Sequence, residues 1–129
     1  MTGLRITGFD HLVLRCADVE ATLAWYRDEL GLAPVRVDEW RSGDAPFPSV
    51  RVSPDTIIDL VPAAGAVGER NVDHLCLVAD RATVDTIATS ARLRVVDGPG
   101  ERYGARGNGW SVYVVDPDDT VVEVRSYDG

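Results

Sequence analysis

Four side chains with metal-ligand chemistry stand at matched places in this 129-residue chain. His74 follows His11 by 63 residues, and Glu123 follows Asp59 by 64. These are the only two histidines, and imidazole nitrogen is a common ligand for zinc, nickel, iron and manganese. Each acid interrupts an apolar run, Ile57-Ile58-Asp59-Leu60-Val61 and Val121-Val122-Glu123-Val124. A carboxylate buried alone in such a run is costly, and a cation would remove that cost. Two imidazoles and two carboxylates carry net −2, cancel a divalent ion and leave room for two waters or a chelating substrate in an octahedral sphere. The plainer alternative is a pair of hydrogen-bonded structural histidines with solvent-facing acids. Two independent features that repeat at nearly one interval argue against it.

The segments that carry these residues also repeat. Phe9-Asp10-His11-Leu12-Val13-Leu14 is matched by Val72-Asp73-His74-Leu75-Cys76-Leu77, and an Ala-Asp pair follows each, Ala17-Asp18 and Ala79-Asp80. Val19, Leu23, Tyr26 and Leu30 then fall on one helical face, with Asp18 as N-cap and Gly31 just past the end. Val84, Ile87, Ala88 and Ala91 make a weaker stripe after Asp80. The period then drops to two. Strands are expected at Pro34–Trp40, Ser49–Val52 and Thr56–Val61 in the first half. In the second they are expected at Leu93–Asp97, Trp110–Val115 and Thr120–Arg125. Residues 41–48 and the glycine-rich 98–109 read as loops, 63–70 as a linker, and Asp116-Pro117-Asp118-Asp119 as a tight turn. Each half is therefore βαβββ, and the two modules run over residues 4–62 and 70–127. The fold class is α+β, with both modules contributing to a curved mixed sheet.

Composition narrows the partners. A hydrophobic share of 45% and a charged share of 26% suit one globular domain of two joined halves. The net charge of −8 argues against nucleic acid and anionic membranes, which need a basic face. All thirteen basic residues are arginine, so a local arginine pocket for an anionic small molecule stays open. Cys16 and Cys76 form no CxxC pair and give no disulfide framework. The amino-terminal residues have no apolar core of signal-peptide length, and no apolar run reaches the ~20 residues of a membrane span. A cytoplasmic location is expected.

The βαβββ repeat, the Asp-His-Leu strand starts and the closing stretch Ser111-Val112-Tyr113-Val114-Val115-Asp116-Pro117-Asp118-Asp119-Thr120-Val121-Val122-Glu123 resemble the vicinal oxygen chelate superfamily. That group includes glyoxalase I, methylmalonyl-CoA epimerase, extradiol dioxygenases, and fosfomycin- and bleomycin-resistance proteins. The resemblance covers nearly the whole chain. It implies that His11, Asp59, His74 and Glu123 bind one divalent metal: nickel, cobalt, zinc, manganese or iron. It also implies that substrates chelate that metal through adjacent oxygens, and that modules pair within one chain or between two, here as a homodimer. Two positions depart from the pattern. Asp59 stands where a longer acid or a glutamine is usual, and Asp119 where the turn usually has glycine.

With two carboxylates in the sphere, one can leave the metal and move a proton beside a carbonyl. That fits a lyase or isomerase of the glyoxalase or epimerase kind, with Glu123 and Asp59 as the catalytic carboxylates and Glu123 the longer arm. A ring-cleaving extradiol dioxygenase ranks lower, because no third histidine exists for acid–base work. A thiol transferase is allowed, and so is a bleomycin-resistance-type binding protein that performs no reaction. Tyr113, Arg125 and Tyr103 are candidates for contact with the small-molecule substrate. Each has a plainer reading: a half-exposed strand tyrosine, a strand-end surface arginine and a loop tyrosine. Cys76 reads as a small buried residue rather than a reactive thiol.

Overall fold

A computed structural model of the protein describes residues 3–64, 70–115 and 120–128. The chain divides into two compact units, Met1–His11 with His74–Gly129, and Leu12–Asp73. Strand β1 (Ile6–Cys16) gives its first residues to one unit and its last to the other. The expected linker falls largely, and the expected Asp116–Asp119 turn wholly, outside the described residues.

In the Leu12–Asp73 unit, helix α1 (Val19–Leu30) is bounded as its sequence requires. Asp18 accepts a hydrogen bond from Ala21 N at 3.1 Å, and Gly31 closes the helix at φ 71°. Val19 and Leu23 are buried with Cys16, Val50 and Leu60; Tyr26 packs at the edge, and Leu30 is exposed. Strands β2 (Ala33–Val35), β3 (Ser49–Ser53) and β4 (Thr56–Pro62) pair antiparallel in that order.

The strand expected at Pro34–Trp40 is a correction. It ends at Val35, Arg36 turns the chain at φ 60°, and a short helix α2 (Val37–Ser42) follows. Asp38 and Glu39 lie in its first turn, Arg41 in its last, and Gly43 terminates it at φ 89°. These end charges suit the helix dipole, and they outweighed the alternation of Val35 and Val37.

In the other unit, β5 (Val72–Ala79) runs parallel to β8 (Val121–Ser126). β7 (Gly107–Val115) is antiparallel to β8 and to β6 (Val95–Gly104), so the sheet is mixed. Helix α3 (Arg81–Ala88) begins where Asp80 accepts from Thr83 N at 2.8 Å and ends three residues before the expected Ala91. Its Val84 and Ile87 pack on Ala79, Val112, Val114 and Val124.

The glycine-rich stretch 98–109 is the second correction, being a hairpin rather than a loop. Gly104 faces Gly107 across a turn of Ala105 and Arg106, and Gly107 takes φ 92°. Register shifts between Val95 and Gly100 absorb the irregular residues. Glycine there weakens strand propensity but permits the bulge and the turn.

Candidate metal centre

Three of the four proposed ligands converge inside one unit. His11 is carried by β1, His74 by β5 and Glu123 by β8, where Cys76 of β5 lies opposite Glu123 in register. Glu123 Oε1 lies 3.2 Å from His11 Nε2 and 3.1 Å from His74 Nε2. One ligand atom from each of the three residues lies within 4.8 Å of the others, a spacing that could hold one ion. His11 and Glu123 are 2% and 1% exposed, and His74 is 16% exposed, so solvent reaches the cluster from the His74 side.

Behind the ligands lies a buried polar shell. Glu123 Oε2 accepts from Ser111 Oγ at 2.7 Å and from Arg125 at 2.7 Å (Nη2) and 3.2 Å (Nε). The two carboxylate oxygens are thus divided, one fixed by the shell and the other turned to the imidazoles. His11 Nδ1 donates to Asp10 Oδ2 at 2.7 Å, which leaves Nε2 as the nitrogen that faces Glu123. Asp10 also accepts from Ala105 N at 3.0 Å and from the Tyr127 hydroxyl. A histidine backed by a carboxylate in this way has a fixed tautomer and a more basic free nitrogen, as in many metal sites.

The donor set fits a divalent ion. Two imidazole nitrogens and one carboxylate oxygen suit zinc, iron, manganese, cobalt or nickel. Without a cation, Nε2 of His11 can face a carboxylate oxygen favourably only when it is protonated. Burial opposes that charge, but hydrogen bonds to Asp10, Cys76 and Glu123 outweigh it and push the His11 pKa up to about 12. Burial likewise opposes ionisation of Glu123, yet both histidines and Arg125 hold its pKa well below the usual carboxylate range.

The signs set a pH prediction for the metal-free protein. The raised His11 pKa stabilises fully below about pH 6.5 and loses its contribution as pH rises from there towards about 12. The lowered Glu123 pKa contributes above about pH 4.5 and is lost as pH falls further. The melting temperature of chelator-treated protein should therefore decline as pH is raised from about 6.5 to 9. Added divalent metal should raise it more at the alkaline end, since the ion replaces the Nε2 proton. A metal-free melting temperature that is flat or rising over this range would contradict the protonated pairing.

The remaining expected residues fall as follows. Asp59 lies in the Leu12–Asp73 unit, 2% exposed, and accepts from Ser49 Oγ at 2.5 Å. The repeat thus carries a serine–acid pair twice, Ser49–Asp59 and Ser111–Glu123. Tyr113 sits opposite Glu123 on β7, half-buried, with its ring edge-on to His74 at 5.6 Å. Arg125 is not at the surface. It is fully buried, and its guanidinium donates to Glu123, to Tyr127 Oη at 3.3 Å, and to the carbonyls of Arg102, Tyr103 and Gly107. Substrate could reach it only by opening those bonds. Tyr103 meets this network through its backbone carbonyl, and its side chain is half-buried.

Sequence reasoning missed Asp10, Ser111 and Tyr127. Asp10 had a signal in its place next to His11, and Ser111 in its repetition of Ser49 ahead of an acid. Tyr127 had none, because its partner Asp10 is 117 residues away.

Comparison with known proteins identifies the family and the fold. A family model described as Glyoxalase/Bleomycin resistance protein/Dioxygenase superfamily matches residues 8–124. A virulence protein of Salmonella typhimurium is 29% identical over 95% of this chain and 85% of its own length. A glyoxalase domain-containing protein of Mycosarcoma maydis is 30% identical over 96% of this chain and 70% of its own. Among solved structures, methylmalonyl-CoA epimerase from Mycobacterium tuberculosis shares the fold at TM-score 0.63 and 20% identity, covering 98% of this chain and 91% of that one. The Mn(II)-bound glyoxalase from Novosphingobium aromaticivorans does so at TM-score 0.65 and 23% identity, covering 96% of this chain and 40% of that one. With an α+β fold and a match over most of its length, the chain belongs to the glyoxalase/bleomycin resistance protein/dioxygenase superfamily.

Proposed function

We propose that the protein is a metal-dependent enzyme of the glyoxalase or epimerase kind that moves a proton beside a carbonyl of a small molecule. The observation that carries this reading is the convergence of His11 Nε2, His74 Nε2 and Glu123 Oε1. A divalent ion held by these three residues would supply Lewis acidity to a substrate chelated through adjacent oxygens.

Charge supports an anionic intermediate. Glu123 and Asp10 contribute −2, Arg125 +1 and a divalent ion +2, with His11 neutral as a ligand. With these three ligands the buried cluster carries +1, which complements a singly charged enolate, and Asp59 as a further donor would bring it to zero. Glu123 Oε2 stays on Ser111 and Arg125 while Oε1 faces the imidazoles, so Oε1 would hold the ion and would have to be released from it to take or return the proton. The charges that keep Glu123 ionised also weaken it as a base. The proton it accepts must come from a carbon already acidified by chelation. Tyr113, half-buried against His74, lines the substrate side. Asp59 is proposed as a fourth donor and second carboxylate, by analogy between its serine pair and that of Glu123, and the active form as a cytoplasmic homodimer.

The test is solvent deuterium incorporation with metal-loaded protein, using a panel of 2-oxoaldehyde–thiol adducts and acyl-CoA epimers. Exchange at the carbon beside the carbonyl is expected for the parent. In Glu123→Gln it should fall by at least about a hundredfold, the scale of positioned acid–base catalysis. A second reading, oxygen-dependent ring cleavage, is favoured by the donor set itself, since two histidines and one carboxylate with open positions suit iron(II) oxygenases. Oxygen uptake with catechols, together with no exchange across the panel, would replace the first reading with the second.

A further inference from the structure

The groups behind the ligands close into a ring. His11 donates to Asp10, whose other oxygen accepts from the Tyr127 hydroxyl. The same hydroxyl accepts from Arg125 Nη1 at 3.3 Å, and Arg125 Nη2 donates to Glu123 Oε2 at 2.7 Å. Glu123 Oε1 then faces His11 Nε2 at 3.2 Å. One phenol oxygen therefore bridges the shell of His11 and the shell of Glu123 by hydrogen bonds, beside a longer direct ion pair between Arg125 Nε and Asp10 Oδ2 at 3.9 Å. It also accepts from Arg106 N at 3.3 Å, and its ring is flanked by the guanidinium groups of Arg106 (4.3 Å) and Arg125 (5.4 Å).

We propose that Tyr127 is a positioning residue of the metal centre, setting His11 through Asp10 and Glu123 through Arg125 with a single hydroxyl. The inference rests on the metal-binding reading above. Its physical basis is unequal redundancy. Without the hydroxyl, Arg125 Nη1 keeps the carbonyls of Arg102 and Gly107. Asp10 loses the donor to its Oδ1, and retains on Oδ2 His11, Ala105 N and a longer ion pair to Arg125 Nε at 3.9 Å. A carboxylate released on one side can swing, and the imidazole it orients swings with it. Loss of such outer partners typically weakens metal binding by about 10- to 100-fold. Phenylalanine keeps the ring between the two arginines and removes only the hydroxyl, with it the bond from Arg106 N.

The experiment titrates metal-free protein with Co(II) and Zn(II), against a chromophoric competitor, for the parent, Tyr127→Phe, Asp10→Asn, the double variant and His74→Ala. Tyr127→Phe should weaken both metals at least about tenfold and alter the visible Co(II) spectrum, while the metal-free melting temperature shifts little. Because Tyr127 reaches His11 only through Asp10, the double variant should lose much less than the product of the two single effects. Parent-like affinity and spectrum in Tyr127→Phe overturns the inference, whatever happens to its melting temperature. Independent, multiplying losses in the double variant overturn the arm that runs through Asp10 to His11. A parent that takes up no stoichiometric ion, or a His74→Ala variant that binds as the parent does, sinks the metal reading itself and the inference with it.

Discussion

Glu123→Ala should remove the metal and cost about 3–5 kcal/mol of stability, the range for deleting one partner of a buried ion pair. The size of the effect comes from what stays behind. Arg125 is fully buried and donates twice to Glu123, so truncation leaves its guanidinium with neutral oxygens and one longer ion pair to Asp10 Oδ2 at 3.9 Å. Ser111 Oγ loses its acceptor as well. For a chain of this size such a loss lowers the melting temperature by roughly 10–20 °C. His74→Ala is the matched comparison. His74 is the most exposed of the three clustered residues, so its removal should abolish stoichiometric metal yet leave the metal-free melting temperature nearly unchanged. Metal analysis and calorimetry on both variants separate the two roles. Parent metal content in either variant would refute the ligand assignment, and an unchanged melting temperature in Glu123→Ala would refute the buried pair as a stabilising element.

Gly104→Ala should damage the site nearly as severely, although it removes nothing. A methyl group at Gly104 would overlap the Arg125 guanidinium and come within 2.6 Å of Tyr127 Oη. The backbone there is ordinary extended strand, where alanine is normally tolerated. The cost is therefore steric. Guanidinium atoms at the end of a flexible side chain usually yield, but Arg125 is enclosed and fully hydrogen-bonded. Overpacking of this kind costs about 1–3 kcal/mol before any loss of ion pairing is counted. Metal affinity should fall with it, because Arg125 moves only by releasing Glu123. Gly8→Ala is the control, since a methyl group there meets nothing within 4 Å and should change stability by less than about 0.5 kcal/mol. Equal melting temperatures for the Gly104 and Gly8 variants would mean that Arg125 has room the structure does not show.

The residues that carry charge into apolar strands were legible, because alternation makes a buried acid conspicuous and the repeat made it conspicuous twice. Capping was legible for the same local reason: Asp18, Gly31 and Asp80 act within three or four residues of themselves. What escaped depended on partners distant in sequence or on backbone geometry. Arg125 looks like any strand-end arginine until the carbonyls of residues 102, 103 and 107 are seen around it. The hairpin at 95–115 was hidden by its glycines, which read as loop although one of them exists to admit a side chain. Arg36, at positive φ without being glycine, gave no warning that a strand would stop and a helix begin.

The bond between Asp10 and Tyr127 joins residues 117 apart in sequence. Closing so long a loop is entropically unfavourable and is repaid only when the intervening strands have found their partners. Local turns and helices can form early, and the ring around His11 and Glu123 is expected to close after them. A nascent chain made only as far as β5 has both histidines and no Glu123 to hold beside them. If these residues hold an ion, a chain that stops short of Glu123 offers only loose imidazoles, and one that has paired β8 with β5 and β7 offers a preset site.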